Sequence, residues 1–106
     1  MFVASQAYVV ELYENPDCTG DSGSRNVWDN TCAYTQGFQS LKLIANGGDL
    51  QQLTAYSPQA CAGEQTFQGC AAGIDSLELG VCHQTTNSNG GSNALSSYSS
   101  GGDCPN

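Results

Sequence analysis

Four acidic side chains, Glu11, Glu14, Asp17 and Asp21, fall within one strand-and-turn stretch. Two carboxylates held at a suitable separation can hydrolyse a glycoside, one as acid and the other as base or nucleophile. Nothing around these four marks either member of a pair as desolvated, so they read as a solvated acidic rim. His83 is the sole histidine and stands beside Cys82. No serine sits in a nucleophile-elbow context and Cys82 is expected to be oxidised, which leaves His83 nothing to activate and makes it a strand-end residue. No catalytic residue is assigned, and the chain is not expected to be an enzyme. A third group suits binding better than reaction: Trp28, Asp29 and Asn30 are consecutive, with Tyr34 close by. An aromatic ring can stack on the apolar face of a sugar while planar amide and carboxylate groups bond its hydroxyls. The competing expectation for Trp28 is burial, because the largest apolar side chain of a small protein tends to fill its core.

Something must position these groups, and the composition says that burial alone does not do it. The chain has 106 residues, enough for one domain, with an apolar fraction of only 39% and abundant Gly, Ser, Asn and Gln. Cys18, Cys32, Cys61, Cys70, Cys82 and Cys104 supply the missing restraint as disulfides, each worth roughly 2–4 kcal/mol. A zinc ribbon would need Cys-x-x-Cys knuckles, and none is present. An even cysteine count in a short chain points to an oxidising compartment and a secreted protein. Met1-Phe2-Val3-Ala4 lacks the basic start and apolar core of a signal peptide, so the numbering is expected to follow a mature form with Met1 added for expression. Ten acids against Arg25 and Lys42 give a net charge of -8, which repels phosphates and excludes general nucleic-acid binding. Anionic membrane surfaces are disfavoured for the same reason, and no apolar run approaches the ~20 residues of a spanning helix. No cofactor or metal is expected.

The chain repeats itself. Tyr13, Cys18 and Gly20 are answered at the same spacing by Tyr56, Cys61 and Gly63. Downstream, Cys32 leads to Phe38-Gln39-Ser40-Leu41-Lys42-Leu43 and Cys70 leads to Ile74-Asp75-Ser76-Leu77-Glu78-Leu79. Two copies of one unit follow, the first about 7–46 and the second about 50–83, within a single domain spanning 1–106. Equivalent cysteines should bond equivalently, which predicts Cys18 to Cys32, Cys61 to Cys70 and, by remainder, Cys82 to Cys104. The Ser-, Gly- and Asn-rich segment 85–106 reads as a tail tied back by Cys104, with residues 94–99 able to add an edge strand.

The elements read as antiparallel β. Strands are expected at 7–14, 40–45, 50–57 and 76–83, where β-branched, aromatic and leucine residues alternate with polar ones. Asn26 to Asp29 is a shorter strand candidate, and Asn46-Gly47-Gly48-Asp49 reads as a hairpin loop. Asn15-Pro16 and Ser57-Pro58 each place a capping residue before a proline, predicting a single helical turn after each long strand, ended at Gly20 and Gly63. The fold class is therefore mainly β with short helices, an antiparallel sheet built from two strand-turn-strand units. An open sheet would leave edges free to pair with a second copy and so predicts a homodimer by sheet extension, whereas a two-sheet sandwich would favour a monomer.

The pattern Tyr-x-x-x-x-Cys-x-Gly followed by a Ser-Leu strand resembles the Greek-key motif of βγ-crystallins, in which an aromatic residue often stands where Cys18 and Cys61 do. That resemblance implies a Greek-key sandwich as the alternative architecture. Its calcium signature would place paired Asn or Asp ahead of the motif's serine; Ser40 has Thr35-Gln36 there and Ser76 has Ala71-Ala72, so calcium binding of that type is not expected. The same repeat is similar to small secreted cysteine-rich fungal proteins, among them a mushroom lectin type that binds N-acetylgalactosamine-containing glycans. What this implies is a secreted, non-catalytic carbohydrate-binding protein with glycans or glycoproteins as partners. The site expected from the residues is Trp28, Asp29, Asn30 and Tyr34. The alternative is a secreted toxin or effector acting on a protein or membrane target.

Overall fold

The computed structural model describes residues 6–28, 30–46, 51–57, 61, 63–71, 76–86 and 91–99. Among them the structure is mainly β, with eight strands: β1 (Gln6–Tyr13), β2 (Ser22–Trp28), β3 (Thr31–Phe38), β4 (Ser40–Asn46), β5 (Gln51–Ser57), β6 (Glu64–Cys70), β7 (Cys82–Gln84) and β8 (Ser92–Ser99). They form two antiparallel sheets, ordered β2-β1-β4-β7 and β3-β8-β5-β6. The sheets share one core. Tyr8, Val10, Leu41 and Leu43 from the first pack with Ala33, Leu53, Ala55 and Leu95 from the second. Within β1 and β4 the buried residues alternate with partly or fully exposed ones, the period of a strand with one face inward.

The sequence repeat has a topological counterpart. Counting β1 to β4 as one half and β5 to β8 as the other, each sheet contains the second, first and fourth strands of one half, followed or preceded by the third strand of the other half. β3 and β7 are thus exchanged between halves. Register carries the equivalence to the residue level at the centre of each sheet: Leu12 pairs with Leu41 as Ala55 pairs with Leu95, and Val10 lies between Arg25 and Leu43 as Leu53 lies between Gly69 and Ser97.

Five expectations are corrected. The disulfides join Cys18 to Cys82 and Cys32 to Cys61, with Cα–Cα distances of 6.0 and 6.1 Å, instead of joining Cys18 to Cys32, Cys61 to Cys70 and Cys82 to Cys104. Cys70 is also disulfide-bonded, to a partner outside the described residues. The physical reason is the exchange. Cys82 pairs opposite Lys42 and Cys32 opposite Ser96, so the true counterpart of Cys32 is Cys82. Each bridge clamps the loop after the first strand of one half onto the strand donated by the other half.

The expected strand at 76–83 shrinks to Cys82–Gln84. Ser76 makes only an isolated parallel bridge to Cys70, and the chain then turns at Gly80, whose φ is +79° and whose N–H donates to Leu43 O at 2.8 Å. The counterpart of Ser40–Asn46 is instead β8, in the segment expected to be a tail with an edge strand. β8 is an interior strand, between β3 and β5. Its serines are satisfied in the core: Tyr8 Oη donates to Ser96 O at 2.7 Å, Tyr56 Oη lies 3.0 Å from Ser96 Oγ, and Ser97 Oγ donates to Gln51 Oε1 at 2.6 Å.

Residues 15–18 form a turn and no helix, and no α-helix occurs among the described residues. Cys18 N–H donates to Ser40 Oγ at 2.8 Å, Glu14 O accepts from Gln39 Nε2 at 3.0 Å and Asn15 O accepts from Ser40 Oγ, so the N–H and carbonyls that a helical turn would pair are engaged elsewhere. The proposed turn after Pro58 lies outside the described residues. Finally, β4 and β5 belong to different sheets, so Asn46 to Asp49 does not close a hairpin; residues 47–50 lie outside the described residues.

Candidate functional site

β2 and β3 are consecutive in the chain yet run into different sheets, each as an edge strand. They diverge from a short connection. Asn30 holds it with a left-handed φ of 56°, a conformation asparagine tolerates better than most residues. Its N–H donates to the side-chain Oε1 of Gln51 at 3.2 Å, and Gln51 is itself buried. Thr31 Oγ1 donates to Trp28 O at 2.6 Å. The backbone carrying Trp28 is therefore pinned from both sides of the turn.

Between the diverging strands runs a groove of two lobes. The lobe near the turn, about 480 Å³, is lined by Ser24, Arg25, Asn26, Trp28, Thr31, Cys32 and Ala33. The far lobe, about 620 Å³, takes Tyr34, Thr35, Gly37 and Phe38 from β3, Ser22 to Arg25 from β2, and Leu12, Tyr13, Glu14 and Asp21 beside them. Ser24 and Arg25 line both lobes. Val27 is fully buried, and Arg25 and Gly23 follow it on the same face of β2 at the strand's period of two. The core-facing row of this strand thus passes from an apolar residue to a cation to no side chain at all. A Cβ added at Gly23 would meet nothing within 4 Å, so the space above it belongs to the groove.

Trp28 is 44% exposed and Tyr34 69%, so Trp28 does not fill the core. The structure brings Trp28 to one lobe and Tyr34 to the other, with Arg25 between. Asn30 is exposed at the turn but does not line the groove, and Asp29 lies outside the described residues. Arg25, Asn26 and Gly23 were not among the expected site residues. The signal that could have pointed to Arg25 is its rarity, as one of only two cations in the chain.

The carboxylates do not gather. Glu14 and Asp21 line the far lobe, linked by Glu14 N–H to Asp21 O at 3.0 Å. Glu11 stands opposite Lys42 on the neighbouring strand, and Asp17 accepts from the Thr19 hydroxyl in the turn. His83 lies at the other edge of the molecule, its ring 5.1 Å from that of Phe67. No helix among the described residues is long and apolar enough to cross a membrane. The disulfides fit an extracellular or otherwise oxidising environment. Comparison with protein-family models, curated proteins and solved structures gives no match.

Proposed function

We propose that the protein is a secreted, non-catalytic carbohydrate-binding protein whose site is the groove between β2 and β3. The observation that carries this reading is Trp28, a large aromatic ring left nearly half exposed at the mouth of a polar groove on a backbone pinned by Gln51 and Thr31. A ring carried on a pinned backbone can stack on a pyranose with little backbone ordering left to lose, and Ser24, Asn26 and Thr31 supply hydroxyl and amide partners for sugar hydroxyls. N-acetylgalactosamine-containing glycans are one candidate class. Supporting the same comparison, the order of each sheet, with the third strand exchanged between halves, is what we infer to be a Greek-key arrangement of the βγ-crystallin type.

The test is a glycan array with competition by free sugar, repeated with Trp28→Ala. Binding should vanish in the variant while its β spectrum stays intact, because a half-buried ring costs about 1–2 kcal/mol to remove, less than the roughly 3–5 kcal/mol of a core tryptophan. Array binding unchanged in folded Trp28→Ala would sink the assignment of this site. A second reading, interaction with a protein or membrane target, draws on Ile44, Leu79 and Val81, three exposed apolar residues on β4 and the segment leading into β7. It predicts target binding that free sugars do not compete and that polar substitution of Ile44 and Leu79 removes.

A further inference from the structure

Arg25 is not needed by the fold. Its counterpart in the other half, by the register of β5 with β6, is Gly69. The other cation, Lys42, is engaged over the Tyr13 ring, its Nζ 5.6 Å from the centroid. Arg25 has no such engagement among the described residues, in a chain with ten acids. It stands instead where the two lobes of the groove meet, with Trp28 on one side and Tyr34 on the other. The acids are placed unevenly around it. Glu14 and Asp21 line the far lobe, while no described residue of the Trp28 lobe is acidic.

Resting on the carbohydrate reading above, we propose that the ligand is an oligosaccharide with a carboxylate-bearing sugar at one position, a uronic or sialic acid, its carboxylate on Arg25 and its ring on Trp28. A planar guanidinium matches a carboxylate with two parallel hydrogen bonds, which a hydroxyl cannot return, so Arg25 discriminates by charge and geometry together. The acidic wall of the far lobe fixes the direction of the chain: it repels a second carboxylate and takes a neutral sugar against Tyr34. Each lobe is large enough by itself for a small ligand, so the whole groove fits more than one ring. A polyanion with a charge on every sugar is disfavoured by the net charge of -8.

The experiment is titration calorimetry of the full chain with two matched pairs, 3′-sialyllactose against lactose and an aldobiouronic acid, one glucuronic acid linked to one neutral sugar, against its methyl ester. The wild type should bind the acidic member of at least one pair about tenfold or more tightly than its neutral partner, and the pair that responds tells sialic from uronic acid. Arg25→Gln should erase that preference and Arg25→Lys should restore part of it, with the folded spectrum unchanged in both. A wild type that binds the neutral member as well as the acidic one, still through Trp28, overturns the acidic-sugar proposal and leaves carbohydrate binding standing. Failure to bind these four probes or anything on a glycan array overturns both.

Discussion

At one edge of the two sheets β2 and β3 stand apart over a groove, and at the other edge β6 and β7 close over a filled interior. The backbone positions correspond residue for residue. Gly23, Arg25 and Val27 on β2 answer to Phe67, Gly69 and Ala71 beside β5, and Ala33 on β3 answers to His83 on β7. At the closed edge Phe67 and His83 meet ring to ring at 5.1 Å, and Leu77 drops onto Gly69, where an added Cβ would come within 2.8 Å of its Cδ2. At the open edge the same two places hold glycine and alanine, and the place of Gly69 holds a cation. The groove is thus space made by leaving side chains out. One half of the duplicated framework carries a plug; the other leaves the corresponding place open.

What both edges share should matter most to stability. Cys18–Cys82 and Cys32–Cys61 are equivalent clamps on the exchanged strands, spanning 64 and 29 residues of sequence. Replacing either pair by alanines is expected to cost roughly 3–4 kcal/mol, with a fall in Tm on the order of 10–20 °C. The Cys32–Cys61 loop is nested inside the other, so the two losses should not add. Calorimetry on both double variants checks the equivalence, which fails if one pair proves dispensable.

The plug comes next. Phe67→Ala removes a partly buried ring from between the sheets and is expected to cost about 2–3 kcal/mol, below the usual range for a fully buried phenylalanine. Urea denaturation measures it. A cost under about 0.5 kcal/mol would mean that the closed edge is not a structural plug.

How much of this could be read from the residues alone depends on where polarity hides. The Tyr-Cys-Gly repeat was legible from spacing, and the β class with the strands β1 and β4 from alternation, because most of the side chains those two strands bury are apolar. β8 was not. Its Ser-Asn-Ala-Leu-Ser-Ser-Tyr-Ser run has the composition of a linker, yet it is an interior strand whose hydroxyls are paired with Tyr8, Tyr56 and Gln51. Ser76-Leu77-Glu78-Leu79 imitates the Ser-Leu start of β4 and sets Cys70 in the place of Cys32, which makes a local disulfide pattern look equivalent. Strand exchange between halves leaves no mark on the order of residues, so the true pairing lay beyond sequence reasoning. Trp28 and Tyr34 were legible as exposed aromatic candidates; the groove beside Gly23 was not, because space formed by an absent side chain has no motif.

The core between the edges carries a smaller asymmetry. Tyr8 and Gln51 hold equivalent places on β1 and β5, one donating to Ser96 O and the other receiving Ser97 and Asn30. Burial, and secondarily the neighbouring Tyr56, raises the Tyr8 phenol well above its ordinary value of 10.0. The unfolded chain therefore ionises this group first. Its stabilising contribution is complete below about pH 10 and is lost as the pH rises beyond that. Tyr8→Phe should cost about 1 kcal/mol at neutral pH and flatten the alkaline decline in the urea midpoint. A wild-type midpoint independent of pH up to about 11 would contradict the burial of this phenol.

The last change should barely move stability and yet decide what the open edge is for. Gly23→Phe puts the ring of Phe67 at the equivalent place on β2, where nothing lies within 4 Å of the new Cβ. A strand interior prefers phenylalanine to glycine, so the expected change is within about 1 kcal/mol and of stabilising sign. Facing Ala33 instead of a histidine, the new ring fills the far lobe without reaching the Trp28 lobe, which Gly23 does not line. Oligosaccharide binding should therefore fall at least tenfold while a single sugar on Trp28 keeps its affinity. Were both to fall together, the two lobes would act as one pocket; were neither to fall, the far lobe would be empty space left by evolution of the plug and no part of the site.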